Sequence, residues 1–113
     1  DASGLSRNNK ITTKLIALFL NKIKYSGNFN SYKSTLSILG IRGTLASKMK
    51  NTNIAGKFIG KTGTLANTFS LSGYLYNGQE SITLSIIQNS DNPNPNITFK
   101  LLSELYETKN CSY

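Results

Sequence analysis

Two alternating segments around Asn77-Gly78 constrain the fold more than any other feature of the sequence. Residues 67–76 read NTFSLSGYLY and residues 81–89 read SITLSIIQN, so apolar side chains fall on one face of each predicted strand. Asn-Gly between two such segments is the strongest short-range signal for a β-hairpin. The preceding GKFIGKTGTL, residues 56–65, is most easily a third strand. The sequence therefore predicts a three-stranded antiparallel meander.

Helical periodicity lies on both sides of this meander. In residues 11–27 apolar side chains recur at every fourth position, with Thr12 as the expected N-cap and Gly27 as the expected stop. Residues 97–110 have the same period, and shorter helical turns are predicted in residues 31–38 and 44–50. The apolar stripes consist of Ile11, Leu15, Ile16, Phe19, Leu20 and Ile23, and of Ile97, Leu101, Leu102, Leu105 and Tyr106. These elements predict an α+β fold with helices flanking the sheet.

The charge and the missing histidine narrow the possible chemistry. Thirteen basic against five acidic residues give a net charge of +8, which could serve nucleic acid, a membrane surface or an anionic polymer. The lysines are scattered and only two residues are arginine, so nucleic-acid binding is not predicted. Without histidine the chain cannot form a Ser-His-Asp or Cys-His site or most zinc sites, and we predict no metal and no cofactor. Serine chemistry would need lysine as its base.

The segment GKFIGKTGTL has two competing interpretations. A phosphate-binding loop needs a glycine at position 55, where the chain has Ala55, and a helix afterwards, where the sequence alternates as a strand. As a Lys-Thr-Gly motif, Lys61 offers a fixed positive charge to a substrate carboxylate. Gly63 lets a substrate backbone lie against the strand edge, and the hydroxyls of Thr62 and Thr64 add hydrogen bonds. The second interpretation needs a partner motif elsewhere.

That partner is Ser6-Arg7-Asn8, a Ser-x-Asn motif ahead of the first helix. Its flanks, DASGLSRNN, resemble the D-G-S-G-L-S-R-x-N signature of D-alanyl-D-alanine carboxypeptidases of the low-molecular-mass, class C penicillin-binding type. RGTLASKMKNTNIAGKFIGKTGTL, residues 42–65, and SLSGYLYNGQESITLSIIQN, residues 70–89, resemble later segments of that family in the same order. Arg42 stands where that family usually has aspartate, and Ala2 where it usually has glycine.

The resemblance implies a β-lactamase/transpeptidase-like fold, with residues 1–113 forming its C-terminal part. It implies a serine D-Ala-D-Ala carboxypeptidase/endopeptidase of the periplasm or cell envelope, with peptidoglycan stem peptides and β-lactams as partners. By the same resemblance, Ser6 relays a proton toward the leaving amine, and Asn8 holds the acyl-side amide. Lys61 favours the terminal carboxylate, Thr62 and Thr64 bind it, and the Thr64 N–H supplies half of the oxyanion hole.

The nucleophile is not predicted in this chain. Ser-x-x-Lys occurs once, at Ser47 to Lys50, between the two other motifs, whereas the family has it far upstream of both. We therefore interpret Ser47 and Lys50 as surface residues and the chain as a piece of a longer protein, inactive alone. It has no apolar run near the roughly 20 residues of a membrane span. A non-catalytic piece that binds anionic cell-wall polymer, or a relative of serine β-lactamases, remains as an alternative.

Overall fold

The computed structural model describes residues 10–110 as an antiparallel sheet with helices on both faces. In chain order the elements are α1 (Thr13–Lys24), α2 (Phe29–Ser34), β1 (Ser37–Ile38), a 3₁₀ turn (Gly43–Leu45), β2 (Phe58–Leu65), β3 (Thr68–Asn77), β4 (Glu80–Asn89) and α3 (Pro95–Asn110). The strands follow one another across the sheet in the order β1-β2-β3-β4. The predicted α+β class is confirmed.

The sheet has four strands, so the prediction of three missed the short strand β1. Ser37 pairs with Gly60 and Ile38 pairs with Ile59. The sequence predicts helical turns in residues 31–38, but the chain leaves α2 and becomes extended before that range ends. A strand of two residues is too short for an alternating pattern, and the partner strand rather than local sequence stabilises it.

Apolar side chains pack on both faces of the sheet. The face toward α3 carries the larger buried cluster, which consists of Leu39, Leu45, Ile54, Phe58, Phe69, Leu71, Leu75, Leu84, Phe99 and Leu102. The face toward α1 and α2 carries the smaller one, which consists of Leu20, Leu36, Ile59 and Tyr74. The predicted apolar face of the hairpin is confirmed, since the alternate residues Phe69, Leu71 and Leu75 all belong to the larger cluster.

The ends of α1 are set by local hydrogen bonds. Thr12 is the N-cap, as predicted, and its hydroxyl accepts the Leu15 N–H at 3.1 Å. The helix ends at Lys24 with Tyr25 as C-cap, so the prediction that Gly27 stops it was wrong by a few residues. Helix ends are the least certain part of a periodic pattern, because the last turn can tighten before the glycine is reached.

The predicted apolar stripes have the right period but are rotated in the structure. In α1 Leu20 is buried, whereas Leu15 and Phe19 are 56% and 60% exposed. In α3 the buried residues are Thr98, Phe99 and Leu102, whereas Ile97 and Leu101 are exposed. Periodicity fixes the spacing of a stripe, and packing on the sheet decides which side of it is covered.

The hairpin between β3 and β4 has its turn one residue later than Asn77-Gly78 would suggest. Asn77 pairs with Glu80, so Gly78 and Gln79 are the two residues of the turn. Gly78 has φ of 66° at the first of these positions and Gln79 has no positive φ at the second, which fits a type II′ turn, whereas a type I′ turn needs a positive φ at both. The predicted hairpin is confirmed, with a type II′ rather than a type I′ arrangement.

Tyr74 joins α1 and α2 to the sheet. Its hydroxyl donates to the Leu20 carbonyl at 2.6 Å, and its ring meets Phe29 edge-on with centroids 5.2 Å apart. Burial, and then the neighbouring Tyr32 and Tyr76, raise the pKa of Tyr74 to about 12, so the hydroxyl keeps its proton at neutral pH. Tyr74 therefore packs against α1 and α2 rather than against α3.

Candidate active site

The Lys-Thr-Gly motif lies in the middle of β2, and the predicted site residues Ser6 and Asn8 lie outside the described residues. β2 continues as a strand from Phe58 to Leu65 and is followed by β3. A phosphate-binding loop would turn from a strand into a helix at this point. The structure therefore agrees with the rejection of that interpretation.

One edge of β2 is open along the motif. β1 pairs only with Ile59 and Gly60, and no other described strand lies on that side of β2. The Phe58 carbonyl accepts the Leu39 N–H at 2.9 Å on this side, and backbone groups alternate in direction along a strand. The N–H and C=O groups of Thr62 and Thr64 therefore point away from β3, toward the open edge. An extended peptide can pair with this edge as an added strand.

Lys61 is exposed on the α1 side of the sheet. Ile59 belongs to the smaller cluster beside α1, and side chains two positions apart share a face, so Lys61 and Gly63 point the same way. The Lys61 ammonium donates to the Thr62 carbonyl at 2.7 Å, which holds the charge at the open edge. Among the described residues, no carboxylate forms an ion pair with Lys61. Its charge is thus available to an anionic ligand.

The absence of a side chain at Gly63 and at Gly60 serves different purposes. A Cβ at Gly63 would lie 2.7 Å from Ser70 Oγ, which is the end of a movable side chain on an exposed surface. A Cβ at Gly60 would overlap the Ser72 carbonyl oxygen and lie 2.6 Å from the ring of Phe58. Gly60 therefore permits the close contact between β2 and β3. Gly63 has no side chain and so leaves space on the surface beside Lys61.

The direction of α1 brings the start of the described chain toward one end of the sheet. Near the end of the helix, Lys24 Nζ donates to the Ser81 carbonyl at 3.0 Å, and Asn21 Oδ1 accepts from Thr83 at 3.3 Å. The helix runs antiparallel to β4, so its beginning, about 18 Å away, lies toward the end of β4. That end of the sheet also carries the Lys-Thr-Gly motif, since Ile87 pairs with Ser70 and Ser70 with Gly63.

Ser47 and Lys50 do not form a Ser-x-x-Lys site. That motif relies on one turn of helix to bring the two side chains together, but the segment is a series of turns in which Met49 has φ of 53°. Ser47 is exposed, and Met49 packs against the larger cluster on the α3 face. Lys61 points to the opposite face. The structure supports the interpretation of this match as a surface segment.

Ser37 and Thr44, for which the sequence predicts no role, lie beside the motif. Thr44 Oγ1 is 3.4 Å from Thr62 Oγ1 and 3.2 Å from Ser37 Oγ. The only sequence signal for Thr44 was its place in the R-G-T-L segment, and Ser37 had none. Thr44 and Thr62 are 18 positions apart, so their contact becomes visible only in the folded chain.

The described residues contain neither a metal-binding cluster nor a membrane-spanning helix. No three of their histidine, cysteine, aspartate and glutamate side chains are grouped so as to hold a metal ion. None of the helices within residues 10–110 combines the length and hydropathy that crossing a bilayer requires.

Comparison with known proteins agrees with the geometry. The sequence model of the D-Ala-D-Ala carboxypeptidase 3 (S13) family matches residues 1–106. The chain belongs to this family. The family match also covers Ser6 and Asn8, which precede the described residues. The predicted resemblance to D-alanyl-D-alanine carboxypeptidases is thereby confirmed.

Two curated relatives of this S13 chain come from different organisms. It is 31% identical over 94 residues to a D-alanyl-D-alanine carboxypeptidase of Actinomadura sp. (strain R39), a match covering 79% of this chain and 18% of the relative. It is 40% identical over 98 residues to a penicillin-sensitive carboxypeptidase A of Dictyostelium discoideum, covering 80% of this chain and 19% of the relative. The chain thus spans about a fifth of the length of these relatives.

The fold of the S13 chain matches solved structures as well. Penicillin binding protein 4 of Haemophilus influenzae superposes with a TM-score of 0.78 at 26% identity, over 94% of this chain and 26% of that protein. A structure of the same protein complexed with a novel β-lactam gives the same TM-score and identity, over 28% of its chain. The chain is therefore part of a penicillin-binding-protein fold, as the sequence predicted.

Proposed function

We propose that the chain is the carboxylate-binding part of a serine D-Ala-D-Ala carboxypeptidase/endopeptidase that acts on peptidoglycan through an acyl-enzyme. One observation carries the proposal: within residues 10–110, no strand covers the edge of β2 along Thr62–Leu65, and Lys61 beside that edge forms no ion pair. A peptide that ends in a carboxylate needs both an edge for its backbone and a cation for its terminus. The S13 family match and the carboxypeptidase names of the relatives support the same chemistry.

In this proposal each residue of the motif has one task. The substrate lies along β2 as an extended strand, with room left by Gly63. Lys61 attracts the terminal carboxylate from the α1 side of β2, and the hydroxyls of Thr62 and Thr64 donate hydrogen bonds to it from the other side, so the carboxylate lies at the edge of the strand between them. The Thr64 N–H faces the open edge and serves as one donor to the developing oxyanion. β-Lactams bind at the same edge because they mimic the D-Ala-D-Ala terminus.

Ser6 and Asn8 complete the proposed site from the segment ahead of α1. Ser6 passes a proton toward the leaving amine, and Asn8 holds the acyl-side amide of the substrate. The nucleophilic serine and its lysine base belong to a part of the longer protein that this chain does not contain, so the chain alone is inactive. The longer protein acts in the periplasm or cell envelope, where peptidoglycan is found.

A titration of the ¹⁵N-labelled chain with N-acetyl-D-alanyl-D-alanine tests this proposal. We expect the amide signals of Thr62, Gly63 and Thr64 to shift most, because the ligand pairs with the open edge, and Tyr74 in the core to stay unchanged. The N-acetyl-D-alanine ethylamide, which lacks the carboxylate, is the matched control and should shift them far less. Shifts away from β2, or equal shifts with both ligands, would contradict the proposal.

The net charge of +8 favours one alternative, a non-catalytic piece that binds anionic wall polymer. Such binding depends on scattered exposed lysines and does not need the open edge of β2. Titration with an anionic polymer would then shift amides over the whole lysine-bearing surface, and the shifts would disappear with added salt. The S13 family match favours the carboxypeptidase over a β-lactamase.

A further inference from the structure

We propose that Thr44 is a positioning residue that orients the Thr62 hydroxyl toward the bound carboxylate. This inference rests on the proposed function for the identity of the ligand. It concerns a residue outside both the Lys-Thr-Gly and the Ser-x-Asn motifs. Thr44 lies in the 3₁₀ turn that follows β1 and contacts Ser37, the residue at which β1 begins and beyond which no described strand covers the edge of β2.

Three hydroxyl groups form a short chain at this point. Ser37 Oγ accepts the Thr44 N–H at 3.1 Å and lies 3.2 Å from Thr44 Oγ1. Thr44 Oγ1 in turn lies 3.4 Å from Thr62 Oγ1. Ser37 is buried, whereas Thr44 is exposed and Thr62 is half-buried. The chain therefore leads from the interior to the edge that the substrate would use.

The chemistry of the ligand fixes the direction of the protons along this chain. A hydroxyl has one proton to donate and can accept two hydrogen bonds, and an ionised carboxylate can only accept. For Thr62 to donate to the carboxylate, its contact with Thr44 must be one in which Thr62 accepts. Thr44 then donates to Thr62, and its own oxygen accepts from Ser37. The hydroxyl of Ser37 uses a lone pair, not its proton, in the bond from the Thr44 N–H. Its proton is therefore available for the bond to Thr44 Oγ1.

The turn that carries Thr44 is built to hold it there. Gly43 has φ of 75°, and a Cβ at Gly43 would overlap Ser37 Oγ, so this position requires glycine on both counts. Just ahead of this turn, Ile38 and Arg42 exchange backbone hydrogen bonds of 2.9 and 3.0 Å. The Arg42 guanidinium donates to the Leu36 carbonyl at 3.0 Å, away from the motif. These backbone interactions thus fix the position of Thr44 independently of the contact between its side chain and Thr62.

Replacing Thr44 by valine tests the proposal without a ligand. Valine keeps the branched shape of threonine and removes the hydroxyl, and Thr44 is exposed, so the fold should persist. We expect the three-bond couplings of Thr62 to report one χ1 rotamer in the wild-type chain and an average of rotamers in T44V. T44S, which keeps the hydroxyl, should resemble wild type, and Ser37→Ala should resemble T44V. A single Thr62 rotamer in T44V would overturn the proposal.

The same variants are then compared for ligand binding. We expect T44V to bind N-acetyl-D-alanyl-D-alanine roughly three- to tenfold more weakly than wild type, because the hydrogen bond from Thr62 to a charged group loses its orientation. The ethylamide without a carboxylate should be unaffected. Equal affinity of T44V and wild type for the carboxylate would overturn the proposal. If the wild-type chain binds neither ligand, the proposed function has failed, and the Thr62 couplings alone decide the role of Thr44.

Discussion

Replacing Lys61 by methionine is expected to slow acylation by a labelled penicillin roughly 100- to 1,000-fold in a longer protein that joins this chain to its Ser-x-x-Lys segment. Methionine keeps most of the aliphatic stem and removes the charge. Lys61 is exposed, and its ammonium contacts only the Thr62 carbonyl among the described residues. Removal of the Lys61 charge should therefore weaken the interaction with the ligand without destabilising the fold. The rate of adduct formation, followed by mass, gives the effect.

Lys57→Met is the matched control for Lys61. Lys57 stands four residues earlier at the start of the same segment, is exposed, and by alternation points to the same face. It has the same charge and the same stem, but it lies outside the open edge. We expect wild-type acylation from Lys57→Met. Equal slowing by both variants would show that net charge rather than the motif governs the reaction.

Replacing Gly60 by alanine is expected to cost about 3 kcal/mol of unfolding free energy, near the upper end of what overpacking costs. The added Cβ would overlap the Ser72 carbonyl oxygen and press on the ring of Phe58, which is fully buried. Neither neighbour can move away freely, because one is strand backbone and the other is in the core. Urea unfolding followed by circular dichroism measures the change.

Gly27→Ala is the control for this experiment. A Cβ at Gly27 meets nothing within 4 Å, and its φ is not positive, so the substitution should change the stability by less than about 1 kcal/mol. A Gly60→Ala variant as stable as Gly27→Ala would mean that β2 and β3 do not approach as closely as the structure has them. The orientation of the Lys-Thr-Gly motif depends on that approach.

The hairpin and the Lys-Thr-Gly strand were predictable because their signals are local. Alternation from Phe69 to Leu75 and the glycine at position 78 specify two strands and a tight turn without any knowledge of the rest of the chain. The N-cap at Thr12 is local in the same sense, since it depends on a contact three residues away. Motif spacing and flanks were sufficient to identify the family.

What the sequence missed depends on contacts between distant residues. The strand Ser37–Ile38 exists because it pairs with Gly60 and Ile59, and nothing in its own two residues predicts this. Leu15 and Ile97 belong to periodic stripes, yet both are exposed, because packing on the sheet decides which side of a helix is covered. The contact of Thr44 with Thr62 likewise follows from the turn after β1.

The location of the penicillin adduct tests the central claim most directly, namely that this chain supplies the carboxylate-binding edge and not the nucleophile. Labelled penicillin is reacted with this chain alone and with the longer protein, and the modified peptide is identified by mass spectrometry. We predict no adduct on this chain, and an adduct on a serine outside it in the longer protein. An adduct on Ser47 would contradict the account.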